Sequence, residues 1–258
     1  EEFRKFHPKV RIDISAGGEG RTTEEMTFPY AENTYIGWDF EEIWQEDTEN
    51  INGGYPFLIN NFTPVPEFAG GSGTEADPYL VATAEHLDNV RNHRNSYFLQ
   101  IADIDLDIAP YNEGEGWLPI GDEIVFSGNY NGGNYRISNL YINHPFVEND
   151  YFYSGLFSVL INSSEISNIC LENVNITGNQ NVGGIVGYNS YGDISNCSIS
   201  GTITGVFCVG GLAGRSVYGY IYNNSSTCDV NGENVVGGLI GASASSLWNN
   251  YSAGNIDG

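Results

Sequence analysis

The sharpest cluster of groups able to do chemistry is a carboxylate run, Asp103, Asp105 and Asp107, in the segment IADIDLDI. Alternation at period two puts all three on one face of a strand, with Ile104, Leu106 and Ile108 on the other. Three carboxylates on one face offer the hard oxygen ligands that calcium takes, and calcium is the one cofactor the sequence raises. The run is not an EF-hand loop, because Ile108 stands at the required glycine and Gly114 at the required bidentate glutamate. The same alternation describes the solvent face of a half-buried strand, which needs no metal.

Enzymes that cleave polysaccharides also gather carboxylates, with an arginine or lysine as base or charge stabiliser. Arg136 and then Arg215 are the arginines available through the repetitive part of the chain, so such a site is poorly supplied. The histidines are His7, His86, His93 and His144, and none sits in an HExxH zinc-peptidase motif. His86 and His93 flank a predicted helix and read as separate surface residues.

The elements that must carry these groups are set by repetition. GGIVG at Gly183, GGLAG at Gly210 and GGLIG at Gly237 recur every 27 residues, with Ile194, Ile221 and Leu247 in phase. A fixed period of this length means stacked supersecondary units. The apolar stretches are short, β-branched and broken by Gly, Asn, Ser and Asp, which fits strands and not helices. The expectation is an all-β fold, a parallel β-helix of about 27 residues per coil, right-handed by the general rule for parallel crossovers. Ile185, Leu212 and Leu239 should then stack, as should Ile176, Ile203, Val230 and Ile256.

The period also aligns other residues. Cys170 and Cys197, 27 apart, are expected as vertical neighbours, either bridged by a disulfide or free as small apolar residues. Cys208 and Cys228 have no periodic partner. Asn168, Asn196, Asn223 and Asn249 recur at the third position of ISN, ISN, IYN and LWN and are expected as a ladder, with Asn196 facing inward. Tyr188, Tyr191, Tyr218, Tyr220 and Tyr222 gather near one corner, where exposed rings could stack on sugars, pack on a partner protein or build turns.

Nine basic against 33 acidic side chains give a net charge of -24, which argues against nucleic acid and anionic lipid as partners. No apolar run approaches the ~20 residues of a membrane span, and EEFRKFHPKV lacks a signal-peptide core, so an export signal is expected outside this chain. Three regions are expected: residues 1–62 of a different, aromatic-rich texture, a Pro/Gly-rich linker over 63–78, and the β-helix over 79–258. Thr83 is the expected N-cap of a helix running to Arg94 that covers the first coil with Leu87 and Val90.

The GG[IL]xG pentapeptides, their trailing I-x-N segments, and the opening GGSGTEADPYLVATAEHL with FLQIADIDLD resemble the GLUG repeats of bacterial and archaeal surface proteins. Such repeats also occur in the non-catalytic regions of some IgA-specific metallopeptidases. The resemblance implies a parallel β-helix module of a larger cell-surface or secreted protein, with residues 17–58 similar to the piece that closes a preceding array. It further implies that this chain is a fragment, or that its open C-terminal coil is covered end to end by another molecule. The function expected is a non-enzymatic structural or adhesive module contacting a surface protein or glycan. The alternatives are a carbohydrate-active β-helix enzyme and a glycan-binding module.

Overall fold

A computed structural model describes residues 22–31, 34–35, 38–40, 44–50, 52–58, 66–122, 125–145, 152–162 and 164–258. The chain forms two compact units, Glu1–Val65 and Pro66–Gly258. Within the second unit the strands are short and pair in parallel, each residue with its equivalent one coil away, giving an all-β solenoid. Ile176 pairs with Ile203, Ile203 with Val230 and Val230 with Ile256. Ile185 donates its N–H to the Leu212 carbonyl at 3.0 Å, and Leu212 to that of Leu239 at 2.7 Å.

The central column runs Tyr79, Phe98, Tyr130, Ile166, Ile194, Ile221 and Leu247. Tyr130, Ile166, Ile194 and Ile221 are fully buried. Each fully buried aliphatic side chain contributes about 1.5–3 kcal/mol over an exposed one, so these columns are the main source of stability.

Coils this close leave no room at the pentapeptide. A Cβ on Gly183 would fall 2.5 Å from the Val186 carbonyl oxygen and 2.6 Å from the Ala213 Cα of the next coil. The asparagine column differs from the expectation. Asn168, Asn196, Asn223 and Asn249 all have positive φ, between 53° and 58°, and form the corner itself. Asparagine tolerates that left-handed conformation better than most residues. Asn196, Asn223 and Asn249 therefore point outward, and the Asn223 Nδ2 donates to Asn196 Oδ1 at 3.2 Å.

The inward amide ladder belongs to the following residue. Asn224, buried, donates to the Ile194 carbonyl at 2.9 Å and accepts from the Cys197 N–H at 2.9 Å, while Asn250 donates to the Ile221 carbonyl at 2.8 Å.

The first coil is covered by the helix Ala84–Asn89, continued as a 3-10 turn Val90–His93. Thr83 caps it, its hydroxyl accepting from the His86 N–H at 3.2 Å, and Leu87 and Val90 are fully buried. Pro66–Pro78 is not a free linker. Phe68 is buried against Tyr79 at 4.4 Å between ring centroids, and the Ala69 N–H donates to the Leu80 carbonyl at 2.8 Å. One buried aromatic and a short backbone ladder are enough to fold the Pro/Gly-rich segment onto the first strand; residues 63–65 lie outside the described set.

In the first unit Thr22 and Glu25 form a capping box on the helix Thr23–Met26, and Trp44–Gln45 pairs antiparallel with Phe57–Leu58. Its aromatic residues pack on one another, Trp38 on Trp44 at 4.1 Å and Tyr30 edge-on to Tyr35 at 5.0 Å. Buried Asp47 accepts from the Asn52 and Gly54 N–H groups at 2.7 and 2.6 Å. Residues 1–21, including Glu1–Arg11, lie outside the described residues.

A second left-handed column, Asn181, Cys208 and Val235, has φ of 48°, 53° and 56°. A β-branched residue is strained there. Val235→Asn is expected to raise stability by about 1 kcal/mol, whereas Gly183→Ala should lower it by about 1–3 kcal/mol through the backbone overlap. Urea denaturation with the midpoints compared at equal slope decides both; a stabilising Gly183→Ala would contradict the packing account.

Candidate functional site

The three aspartates do not converge. Asp103 accepts from the Arg136 backbone N–H at 2.9 Å and from its Nη2 at 2.9 Å, and these bonds, the backbone one first, hold its carboxyl below the usual range. Asp105 accepts from the Asp107 N–H at 3.0 Å and from Asn139 Nδ2 at 2.7 Å, which lowers it in the same way. Asp107 takes Asn112 Nδ2 at 2.9 Å. Among the described residues no cluster of three or more His, Cys, Asp or Glu side chains is arranged to hold a metal ion. Ile108 departs from the expected alternation: it is 42% exposed, because the strand ends at Asp105 and Ile108 opens a turn through a hydrogen bond from the Tyr111 N–H.

Arg136 lies between two carboxylates, Asp103 at 2.9 Å and Glu172 at 3.8 Å. The Arg215 guanidinium sits 5.9 Å over the Tyr188 ring. His86 is not a surface residue but 5% exposed. Its Nδ1 accepts from the Ala82 N–H at 3.3 Å, so the Nε2–H tautomer donates to the Pro66 carbonyl at 3.1 Å. The fold-back of Pro66–Phe68 is what buries it. His93 faces Glu67 at 2.8 Å.

Cys170 and Cys197 are not vertical neighbours. Cys170 pairs with Ser198, a spacing of 28, and a bulge between Leu171 and Val174 restores 27 by the Ile176–Ile203 pair. Cys170 is half-buried beside Glu172, Cys197 points into the core, and both are free thiols. Burial pushes the Cys197 thiol up to about 12 and that of Cys228 to about 11.

The corner tyrosines divide into small stacks. Tyr191 lies on Tyr218 at 4.9 Å, and Tyr222 on Trp248 at 4.7 Å with Tyr220 edge-on to Trp248. Tyr188 packs instead near Tyr153 at 5.9 Å. Each stacked ring gives one face to its neighbour along the axis, so the rings are partly consumed by holding coils together.

A concavity lies elsewhere, on the outer face of the sheet over the early coils. Two columns on that face start in it and continue beyond the cavity over the later coils. One is Tyr97, Asn129, Glu165 and Asp193, the other Leu99, Asn131, Ser167, Ser195, Tyr222 and Trp248. Short side chains form a floor, and Tyr97, Glu75 and Pro78 help to wall a cavity of about 280 Å³. The sequence hides these neighbours because the early coils are irregular: Tyr97 and Asn129 are paired across 32 residues, Asn129 and Glu165 across 36. No fixed period brings them into phase.

Residues 178–204 match the GLUG motif. A protein of Evansella cellulosilytica named "Putative Gly-rich membrane protein" is 40% identical over 137 residues, covering 51% of this chain and 15% of that protein. Halomucin of Haloquadratum walsbyi is 32% identical over 142 residues, covering 51% of this chain and 2% of that protein. The chain thus spans a small part of these relatives. A crystal structure of a "putative immunoglobulin A1 protease" from Bacteroides ovatus shares the fold, with a TM-score of 0.51 at 22% identity over 74% of this chain and 70% of that one.

The thiol environments lead to a labelling pattern. Iodoacetamide at pH 8 on the native protein should modify Cys170 first and leave Cys197 and Cys228 protected until denaturant is added. Peptide mapping reads this directly, and a Cys170–Cys197 disulfide in the unreduced protein would contradict the register.

Proposed function

We propose that this GLUG-motif chain is a non-catalytic segment of a larger cell-surface or secreted protein, with a structural or adhesive role outside the cell. The observation that carries the reading is the unbroken parallel stacking from Tyr79 to Leu247, which makes the second unit a self-supporting array of coils. Such an array needs only nearest-neighbour contacts to extend, the property that repeat scaffolds exploit. The GLUG motif and the relative named a membrane protein point the same way. Among the described residues no helix is long and apolar enough to cross a membrane.

The pairing of the candidate catalytic groups favours a scaffold over an enzyme. Asp103, Asp105 and Arg136 are engaged with one another or with neighbouring amides, so these three do not stand as an acid and a base on opposite sides of a cleft. Glycan or protein contact through the outer faces, and end-to-end association of copies, belong to the same reading. A net charge of -24 keeps such a surface soluble and repels polyanions.

Two measurements test it together. Antibodies to the second unit should stain intact, unpermeabilised producing cells or their secreted material. Purified chain should release no reducing ends from neutral or acidic polysaccharides, with or without calcium. Exclusive staining of permeabilised cells, or chain cleavage abolished by Asp105→Asn or Arg136→Ala, would overturn the proposal.

A further inference from the structure

We propose that the trough over the early coils binds a neutral, hydroxyl-rich saccharide chain lying along the solenoid axis. This deepens the reading of the module as adhesive, and names a site distinct from the tyrosine corner. The protein leaves several polar atoms along this trough unused. Asn129 Oδ1 accepts from the Glu165 N–H at 3.0 Å, and Asn131 Oδ1 accepts from the Gly133 N–H and Asn168 Nδ2, both at 2.9 Å. Both amide oxygens are thereby satisfied within the fold, and both amide NH2 groups have no protein acceptor among the described residues. Glu75 and Glu165 line the same cavity with carboxylates that no protein donor meets among the described residues. Tyr97 adds a half-buried ring and a hydroxyl at one end.

Donors and acceptors interspersed around one aromatic ring are what vicinal hydroxyls and a pyranose ring require. The arrangement disfavours the competing occupants. Two free carboxylates in a chain of net charge -24 repel an acidic glycan or a nucleic acid. An extended peptide binds best by adding to a sheet edge, whereas the cavity lies on a sheet face whose backbone groups are already spent in coil-to-coil pairing. Recognition there must use side chains. The columns repeat at the strand spacing of about 4.8 Å, close to the rise of one sugar unit in an extended chain, so each successive coil can meet a successive sugar with its own side chains.

The test uses the full chain and isothermal titration with cellohexaose, xylohexaose and mannohexaose, with hexagalacturonate as the acidic probe and a neutral hexapeptide as the peptide probe. At least one neutral hexasaccharide should bind, and hexagalacturonate about tenfold more weakly or worse. Tyr97→Ala should weaken binding about tenfold, Tyr97→Phe much less, and Tyr191→Ala, outside the trough, not at all. Glu165→Gln should narrow the gap between neutral and acidic ligands. Thermal unfolding confirms that each variant is folded, and Tyr97→Phe keeps the ring if Tyr97→Ala does not fold. The proposal is overturned if none of the neutral probes binds at millimolar concentration, if binding survives both Tyr97→Ala and Asn129→Ala, or if hexagalacturonate or the hexapeptide binds more tightly. Cell-surface staining is unaffected by any of these results, so the site and the surface reading fail separately.

Discussion

Everything in the second unit depends on one constraint: each strand residue hydrogen-bonds to its equivalent a full coil away. Parallel pairing of this kind tolerates no net difference in coil length along a ladder, so every extra residue has to be expelled into a corner or a loop. The bulge between Leu171 and Val174 is that constraint acting on a single surplus residue. The left-handed asparagines at Asn168, Asn196, Asn223 and Asn249 turn the chain at the same point of each coil so that the next strand starts in register. In the early coils the surplus is larger. The 32-residue coil from Tyr97 to Asn129 carries the segment containing Trp117 and Ile120, both buried, with the Trp117 indole donating to the Leu156 carbonyl at 3.2 Å.

The energies divide in an ordered way. The inward aliphatic and aromatic columns contribute about 1.5–3 kcal/mol per fully buried side chain. A net side-chain hydrogen bond in the Asn224–Asn250 ladder contributes about 1 kcal/mol, whereas the Arg136–Asp103 pair, with both side chains more than half exposed, is screened by solvent and adds little. The apolar columns therefore hold the coils together, while the amide ladders fix where each coil turns. Stability depends less on the outer faces, where stacked rings such as Tyr222 on Trp248 add to coil contacts but short polar side chains and carboxylates are also carried.

That separation of labour bears on function. Where the coils are regular, the outer face is nearly flat and its aromatic residues are stacked along the axis, as Tyr222 is on Trp248. Where they are irregular, the segment carrying Glu75 and Pro78 rises beside the sheet and makes a concave surface out of an otherwise smooth rod. Irregularity in a repeat protein is thus the natural place to look for a site, since regular coils have only a repeating, shallow surface to offer.

The 27-residue period, the apolar stacks and the capping helix were legible in the chain alone, because a side chain buried by its own copy must recur at fixed spacing, and Ile176, Ile203 and Val230 do. The orientation of the asparagines was not, since a one-residue corner in left-handed conformation reverses which neighbour faces inward: Asn224 and not Asn223. Cys170 and Cys197 are out of register for a different reason, the bulge between Leu171 and Val174, a local insertion that spacing counted over the whole repeat conceals. His86 reads as a surface residue along the chain because nothing nearby in sequence covers it; Pro66 and Phe68, some 20 residues away, do. The sequence by itself determined the period, the strand class and the core, which follow from local alternation and repetition. Only the tertiary structure decided which outward residues share a surface, because Tyr97, Asn129 and Glu165 are joined by unequal coils whose lengths are reconciled in space and nowhere along the chain.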